Sequence, residues 1–426
     1  MPESAEMRSS LIAAYEAAVV ACDPEFAVAS AICVDRDGIT VGGHRFIGAT
    51  PDDVAVVAIG KAASGMVRGV VSVLGPVRGI AVSNHTEPCP VPLVIGSHPV
   101  PDEASLVCGE ALIEYVENLS STDLVLYLIS GGGSAIVAAP VAGITLEDLA
   151  TLNETLLRVG VPIGDMNEIR AAVSKIKGGR LARVCPARHA VTLVLSDVIG
   201  AGPAHVASGP SLGAGMGAAA SAVVSRYALE SLLPASVVSV VGQLGRVLQE
   251  APHPFSVVGS ADVAARAAAD YLASHGFRTV IATTGLTGEA RTAAVEFTRA
   301  AAPAAITIAA GETTVTVTGD GVGGRNQEAA LAVAIEISGT DTVYAALGTD
   351  GIDGATPAAG AVVDGDTAAR ALALGVDLGD ALARNDSHTA LAALDAVVVR
   401  GDTGTNVGDL WMVAKGLLSR VRPGSP

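Results

Sequence analysis

The run Leu124-Val125-Leu126-Tyr127-Leu128-Ile129-Ser130-Gly131-Gly132-Gly133-Ser134 decides the fold class. Its first six residues are apolar without alternation, as in a strand covered on both faces. Its last five are a loop placed at that strand's carboxyl end. The same succession recurs. Val54–Ile59 runs into Gly60-Lys61-Ala62-Ala63, and Val191–Leu195 into Ser196-Asp197-Val198, with a further apolar run at Gly79–Val82. Helical patterns lie between and before them. Leu146–Val159 follows Thr145 at an N-cap position, and residues 9–33 carry Leu11, Ile12, Tyr15, Ala18 and Val19 on one face. Strands alternating with helices imply a mostly parallel sheet with helices on both faces. Ligands of such sheets bind at the carboxyl ends of the strands, where these loops are.

After a helical stretch from Ala219 to about Gln249, Glu250-Ala251-Pro252-His253-Pro254 reads as a boundary. A second α/β unit follows. It takes in Phe255–Val258, a helix over Ala261–His275, Thr279–Thr283, the Thr/Val run Thr313–Thr318 read as a strand, and Val343–Leu347. The expected fold is two α/β domains, residues 1–250 and 251–426. The first is a Rossmann-like, mostly parallel sheet, and the active site lies in the cleft between the two.

Composition narrows the function. A net charge of −17 argues against sequence-independent nucleic-acid binding, which needs a basic surface, while a local Arg/Lys cluster can still hold a small anion. Five dispersed cysteines without a C-x-x-C pair read as reduced side chains rather than disulfides or zinc ligands. The uncharged stretches Leu124–Leu146 and Val198–Ser225 are broken by Gly and Pro, so neither reads as a membrane span. The expectation is a cytoplasmic protein without nucleic-acid or membrane partners, for which a homodimer is one allowed assembly.

The loops hold the chemistry. In Gly319-Asp320-Gly321-Val322-Gly323-Gly324-Arg325-Asn326-Gln327-Glu328, glycine N–H groups, a helix start and the Arg325 guanidinium together suit an anion. Gly319, Gly321 and Gly324 also spell G-x-G-x-x-G. The alternating Thr/Val run before them suits a strand with one wet face better than the first strand of a dinucleotide fold. A glycine-rich turn with a surface arginine is the plain alternative. Lys61 can sit as a point charge on phosphate or carboxylate, or extend into solvent. Ser130, Gly131, Gly132, Gly133 and Ser134 make a nest suited to phosphate oxygens, or a flexible turn. Asp197 can accept a hydroxyl proton, hold Mg²⁺ or cap the next helix. Asp350 and Asp353 suit a hard cation carried by a nucleotide, or an ordinary Asp-Gly turn. Glu312 and Asn326 are further polar groups in loop positions. Cations, N–H groups, acids and a base at successive strand ends are the inventory of phosphoryl transfer.

These stretches, with His98-Pro99-Val100-Pro101-Asp102-Glu103-Ala104, Met166-Asn167, Ile176-Lys177-Gly178-Gly179, Ala207-Ser208-Gly209-Pro210, Asn385-Asp386-Ser387 and Thr403-Gly404-Thr405-Asn406, resemble the class II glycerate kinases. The latter half is similar to the MOFRL domain. The resemblance implies an ATP-dependent kinase acting on D-glycerate, most often giving 2-phosphoglycerate, with Lys61 and Arg325 as the functional pair. On that footing the pair is expected to hold the glycerate carboxylate and the charge developing on the transferred group. The family has also carried the label hydroxypyruvate reductase, which leaves an NAD(P)H-dependent alternative. Three departures leave a catalytically lapsed binding protein open as well. Ile199-Gly200-Ala201 lacks the family's usual aspartate, Ala171-Ala172 replaces a basic residue and a histidine after Arg170, and Ser211-Leu212-Gly213-Ala214 lacks the usual acid.

Overall fold

A computed structural model describes residues 2–200, 202–213, 215–243 and 253–417 of the chain. Two compact units emerge: Pro24–Val258, and a discontinuous unit made of Met1–Asp23 with Gly259–Pro426. The boundary expected at residues 250 and 251 lies outside the described residues, as does the end of the helical stretch expected to reach Gln249. The single helix expected over residues 9–33 is two helices, Pro2–Ala21 and Pro24–Ser30, followed by the strand Ile32–Asp35. Pro24 has no N–H to continue a helix but is well suited to open one. The break separates the units. Pro2–Ala21 packs on Ala261–Ser274, and the Tyr15 hydroxyl donates to the Gly348 carbonyl (2.9 Å).

In Pro24–Val258 the main sheet has the order Leu93–Ile95, Arg78–Ser83, Val54–Ile59, Leu124–Ser130, His189–Leu195, Phe255–Gly259. Its first five strands are parallel neighbours. Counted along the chain this order is 3-2-1-4-5-6, and it reverses between Val54–Ile59 and Leu124–Ser130. Every residue of these two strands is buried, as their unbroken apolar runs require. Their carboxyl ends release Gly60-Lys61 and Gly131–Ser134 at the reversal, where open α/β sheets present their crevice. A three-stranded antiparallel sheet of Ile32–Asp35, Gly38–Val41 and His44–Ile47 precedes it.

The other unit also has a six-stranded sheet, in the order Thr279–Leu286, Ala305–Gly311, Asp409–Lys415, Thr342–Gly348, Ala358–Asp364, Val397–Val399. Only the first pair is parallel. Burial on both faces makes a strand continuously apolar whichever way its neighbours run, so its sequence does not report direction. Trp411, Val413, Tyr344, Ala346, Ala361 and Val363 face the core that includes Ala290, Ala294 and Ala330 of the helices Ala290–Ala300 and Arg325–Glu336. The helices Pro2–Ala21 and Ala261–Ser274 also pack on this sheet. Thr313–Thr318 is not a strand; it has one isolated bridge, Thr314 with Glu289. Side chains replace the ladder there. The Thr316 N–H donates to Glu289 (3.1 Å) and the Thr318 N–H to Asn385 Oδ1 (2.8 Å). Among the described residues no helix is long and apolar enough to cross a membrane.

Candidate functional site

At the reversal of the parallel sheet, the Lys61 and Ser130–Ser134 loops interlock. The Lys61 N–H donates to the Gly131 carbonyl (2.9 Å) and the Ala62 N–H to Ser130 Oγ (3.1 Å). Glycine is required because other side chains close directly onto this loop. A Cβ on Gly131 would stand 2.0 Å from an Asp197 carboxylate oxygen, and one on Gly132, whose φ is +83°, 2.9 Å from Lys61 Cγ. The loop thus brings together Lys61 and Asp197, residues 136 positions apart in sequence (197 − 61). Lys61 is exposed, and its amine has no hydrogen-bond or ion-pair partner among the described residues. Burial, and after it the Lys61 charge, lowers the pKa of His98.

Behind the loop runs a chain of polar contacts among Ser134 and residues of the stretches that carry the family resemblance. Ser134 Oγ and Ser208 Oγ are 2.7 Å apart, and Ser208 Oγ donates to Asn167 Oδ1 (2.8 Å). Lys177 Nζ donates to the Ser134 carbonyl (2.7 Å). Ala207 and Ser208 hold left-handed backbone at φ +53° and +59°, a conformation of order 1–3 kcal/mol unfavourable for residues with a Cβ. Ser134 was expected in the phosphate nest, while Asn167, Lys177 and Ser208 lay in stretches that carry the family resemblance but were given no role of their own. Ala171 and Ala172, which stand where the resembling family has polar groups, are buried in the core. Ala201 and Ala214 lie outside the described residues.

Arg325 anchors the second cluster. It opens the helix Arg325–Glu336, with Gly324 at the N-cap. The N–H groups of Asn326 and Gln327 donate to Asp353 Oδ1 (3.0 Å) and Oδ2 (2.8 Å), and Gln327 Nε2 adds a bond to Oδ2 (2.9 Å). The anion at this helix start is therefore the protein's own Asp353, not an outside ligand. The glycine run before it is not an open nest either. Gly319 N–H donates to Asn385 Oδ1 (3.0 Å), Gly321 N–H to the Arg384 carbonyl (2.9 Å) and Val322 N–H to Asp386 Oδ1 (3.1 Å). A Cβ on Gly324 would meet Asp353 Cγ at 2.3 Å. These glycines serve close packing, and the group left to act outward is the guanidinium.

That guanidinium is held by two acids. Arg325 Nε donates to Asp409 Oδ2 (2.7 Å) and Nη1 to Glu312 Oε1 (2.9 Å). Asn326 Nδ2 donates to Asp409 Oδ1 (2.8 Å), and Trp411 Nε1 donates to Asn326 Oδ1 (2.9 Å). Sheet register explains the convergence. Asp409 opens an antiparallel central strand opposite both Gly311 and Gly348, so Glu312 and Asp350, just beyond those glycines, arrive at the same sheet end. Asp409 was missed in the sequence because nothing local separates it from any other acid before an apolar run. Its side chain is fully buried. Burial pushes its carboxyl up to about 6, against the opposing pull of Arg325. For Arg325 the order of effects is burial, which lowers its pKa, outweighed by Asp409 and Glu312, which raise it. Burial likewise raises Asp350 and Asp353. Asp353 has both oxygens engaged by N–H groups, whereas Asp350 accepts at Oδ1 from the Ile352 N–H (3.1 Å). Among the described residues no group of three His, Cys, Asp or Glu is placed to hold a metal ion.

The two polar clusters coincide with two family matches. A model described as a domain of unknown function, DUF4147, matches residues 10–242, and the MOFRL family model matches residues 305–409. The D-glycerate 2-kinase of Thermotoga maritima is 38% identical over 84% of this chain and 90% of its own. A protein of Agrobacterium vitis, named provisionally as a hydroxypyruvate reductase, is 37% identical over 85% of this chain and 99% of its own. The crystal structure of a Thermotoga maritima glycerate kinase superposes with a TM-score of 0.84 at 33% identity, over 96% of this chain and 99% of that one.

Proposed function

The chain belongs to the glycerate 2-kinase family, and from that membership we infer that it transfers the γ-phosphoryl group of ATP to D-glycerate, giving 2-phosphoglycerate and ADP. The observation that carries this reading is an outward-facing cation at a strand end or helix start in each unit: Lys61 beside a Gly/Ser loop and Asp197, and Arg325 between Asp409 and Glu312. Both clusters serve one reaction, and the 3-2-1-4-5-6 strand order supports a Rossmann-like reading of the parallel sheet. We assign it small-molecule partners and a cytoplasmic location.

In the reaction, the acceptor hydroxyl oxygen bonds to the γ-phosphorus as the bond from phosphorus to the ADP oxygen breaks, and the hydroxyl proton passes to the Asp197 carboxylate. Lys61 and Arg325 face the negative charge on the transferred group. Within Ser130–Ser134, the Gly131–Gly133 backbone receives phosphate oxygens through its N–H groups, the buried Ser130 hydroxyl being engaged by the Ala62 N–H and the Ile59 carbonyl. Mg²⁺ carried by ATP would neutralise phosphate charge. Asp350, with one oxygen engaged locally, fits such an ion, which keeps waters and phosphates as its other ligands. Asp353 positions the helix of Arg325 rather than holding metal, Glu312 steadies the guanidinium, and Asn326 steadies Asp409.

The test incubates the purified protein with Mg²⁺–ATP and D-glycerate, and separately with hydroxypyruvate and NAD(P)H. The expected result is ADP release that requires D-glycerate, with 2-phosphoglycerate identified by NMR. ATP-independent NAD(P)H oxidation with no glycerate-dependent ADP would replace this reading by the reductase. The G-x-G-x-x-G run lends the reductase no support, because the N–H groups of Gly319, Gly321 and Val322 are taken by residues 384–386 and those of the helix start after it by Asp353. Nucleotide binding without either turnover would mark a lapsed homologue.

A further inference from the structure

Arg170 and Lys177 line one small enclosed cavity and have no acid to balance them among the described residues. The cavity, about 20 Å³, is bordered by Pro101, Ser134, Asn153, Arg170, Ser174 and Lys177 among others, and has room for roughly one water. Arg170 Nε donates to Asn153 Oδ1 (2.8 Å), and Lys177 Nζ gives one N–H to the Ser134 carbonyl. Among the described residues neither makes an ion pair, and the terminal guanidinium nitrogens and the remaining ammonium protons have no protein acceptor. Burial brings the Lys177 amine down to about 7, with Arg170 adding to the effect, and burial alone brings Arg170 down to about 10. Both side chains are partly buried, and charges drawn out of water without a counter-charge are unfavourable, so two of them facing one space mark a place where a ligand supplies the negative charge.

Two neighbours tie this space to the reaction. Ser134 ends the loop at the sheet reversal, and Pro101 belongs to the His98–Ala104 stretch, whose His98 senses Lys61. We propose that Arg170, Lys177 and Ser134 form the subsite for the carboxylate of the acceptor hydroxy acid. The proposal rests on the kinase reading above and moves the carboxylate away from the Lys61–Arg325 pair, leaving those two for the phosphoryl group. The chemistry would suit any oxyanion, but the dimensions favour a carboxylate. One or two oxygens fit beside a guanidinium fork and an ammonium, whereas a triphosphate needs the open backbone of Gly131–Gly133.

The experiment compares the full-length wild type with Arg170→Met and Lys177→Met, measuring KM for D-glycerate, KM for ATP, Tm, and calorimetric binding of D-glycerate and of glycerol. Loss of charge-assisted bonds should raise KM for D-glycerate about 30-fold in each variant. KM for ATP should stay within about 3-fold, and Tm should hold or rise because an unbalanced charge has been removed. Lys177→Arg, which keeps the charge, should recover part of the loss, and glycerol should bind none of the proteins. An unchanged KM for D-glycerate, or a rise in KM for ATP alone, which would give the subsite to a nucleotide phosphate, overturns the proposal. So does a fall in Tm with both KM values intact. Should the wild type phosphorylate nothing, the kinase reading fails on its own. Calorimetry still decides the subsite, since equal D-glycerate affinity in wild type and variants rejects it.

Discussion

Lys61 and Arg325 are the cations around which the two units build their polar loops, and their surroundings are opposites. Around Lys61 the backbone is tightly determined while the amine has no partner among the described residues: glycines let Asp197 and the lysine stem close on the loop, and two non-glycine residues sit in left-handed backbone. Around Arg325 the side chain itself is clamped, by a fully buried Asp409 and by Glu312, with Asn326 and Trp411 fixing Asp409 in turn. A parallel sheet supplies its site from loops, so the loops must be shaped. The mixed sheet brings Asp409 in on a central antiparallel strand beside the strand that ends before Glu312, so acids from two strands can meet one guanidinium. The lesson is that a preorganised charge can be fixed by main chain or by side chain.

Replacing the clamped side chain should have the largest effect. Arg325→Ala is expected to lower kcat/KM by ~10³–10⁵, and Arg325→Lys to restore little, because the two acids hold a planar fork. Steady-state kinetics within a few-fold of wild type would remove Arg325 from the reaction. The loop-shaped site should answer more moderately. Asp197→Asn is expected to lower kcat by ~10²–10⁴ at saturating Mg²⁺ if the carboxylate takes the hydroxyl proton. Recovery on raising the metal concentration would convert it to an ion-positioning group, and unchanged kinetics would leave only a structural role.

The smallest expected effect is also the one that separates the two regions by sign. Asp409 has a folded pKa near 6, above its ordinary value, so the stability it contributes is full below about pH 4 and is lost as pH rises through 6. His253 is held down to about 4 by burial, against Thr192 Oγ1 and the ring of Tyr127, so its contribution is present above about pH 6.5 and is lost as pH falls through 4. Each effect is on the order of 2 kcal/mol, after allowance for the partial exposure of His253. Hydrogen exchange across pH 4–6.5 should therefore show protection falling with pH around Asp409 and rising around His253. Asp409→Asn should flatten the first trend alone. Parallel trends in both units would break the contrast.

Much of the parallel sheet was legible in the chain. Val54–Ile59, Leu124–Ile129 and Val191–Leu195 are strands within a residue or two of their apolar runs, and Thr145 accepts the N–H of Asp148 as the cap of Leu146–Val159. Each depends on local chemistry: two-sided burial gives an unbroken apolar run, and a hydroxyl before a helix gives a cap. The Thr/Val run misled for the same reason, because alternation reports one wet face and not whether a ladder partner exists. Lys61, the Ser130–Ser134 loop, Asp197, Arg325 and Asp350 were visible as polar groups after apolar runs or beside glycines. What the sequence could not supply was pairing at long range. That Asp409 lies opposite Gly311 and Gly348, that Asp353 rather than a ligand fills the helix start at Arg325, and that Pro2–Ala21 joins the C-terminal unit are facts of register and packing. They depend on residues tens to hundreds of positions apart, so only the folded chain decides them.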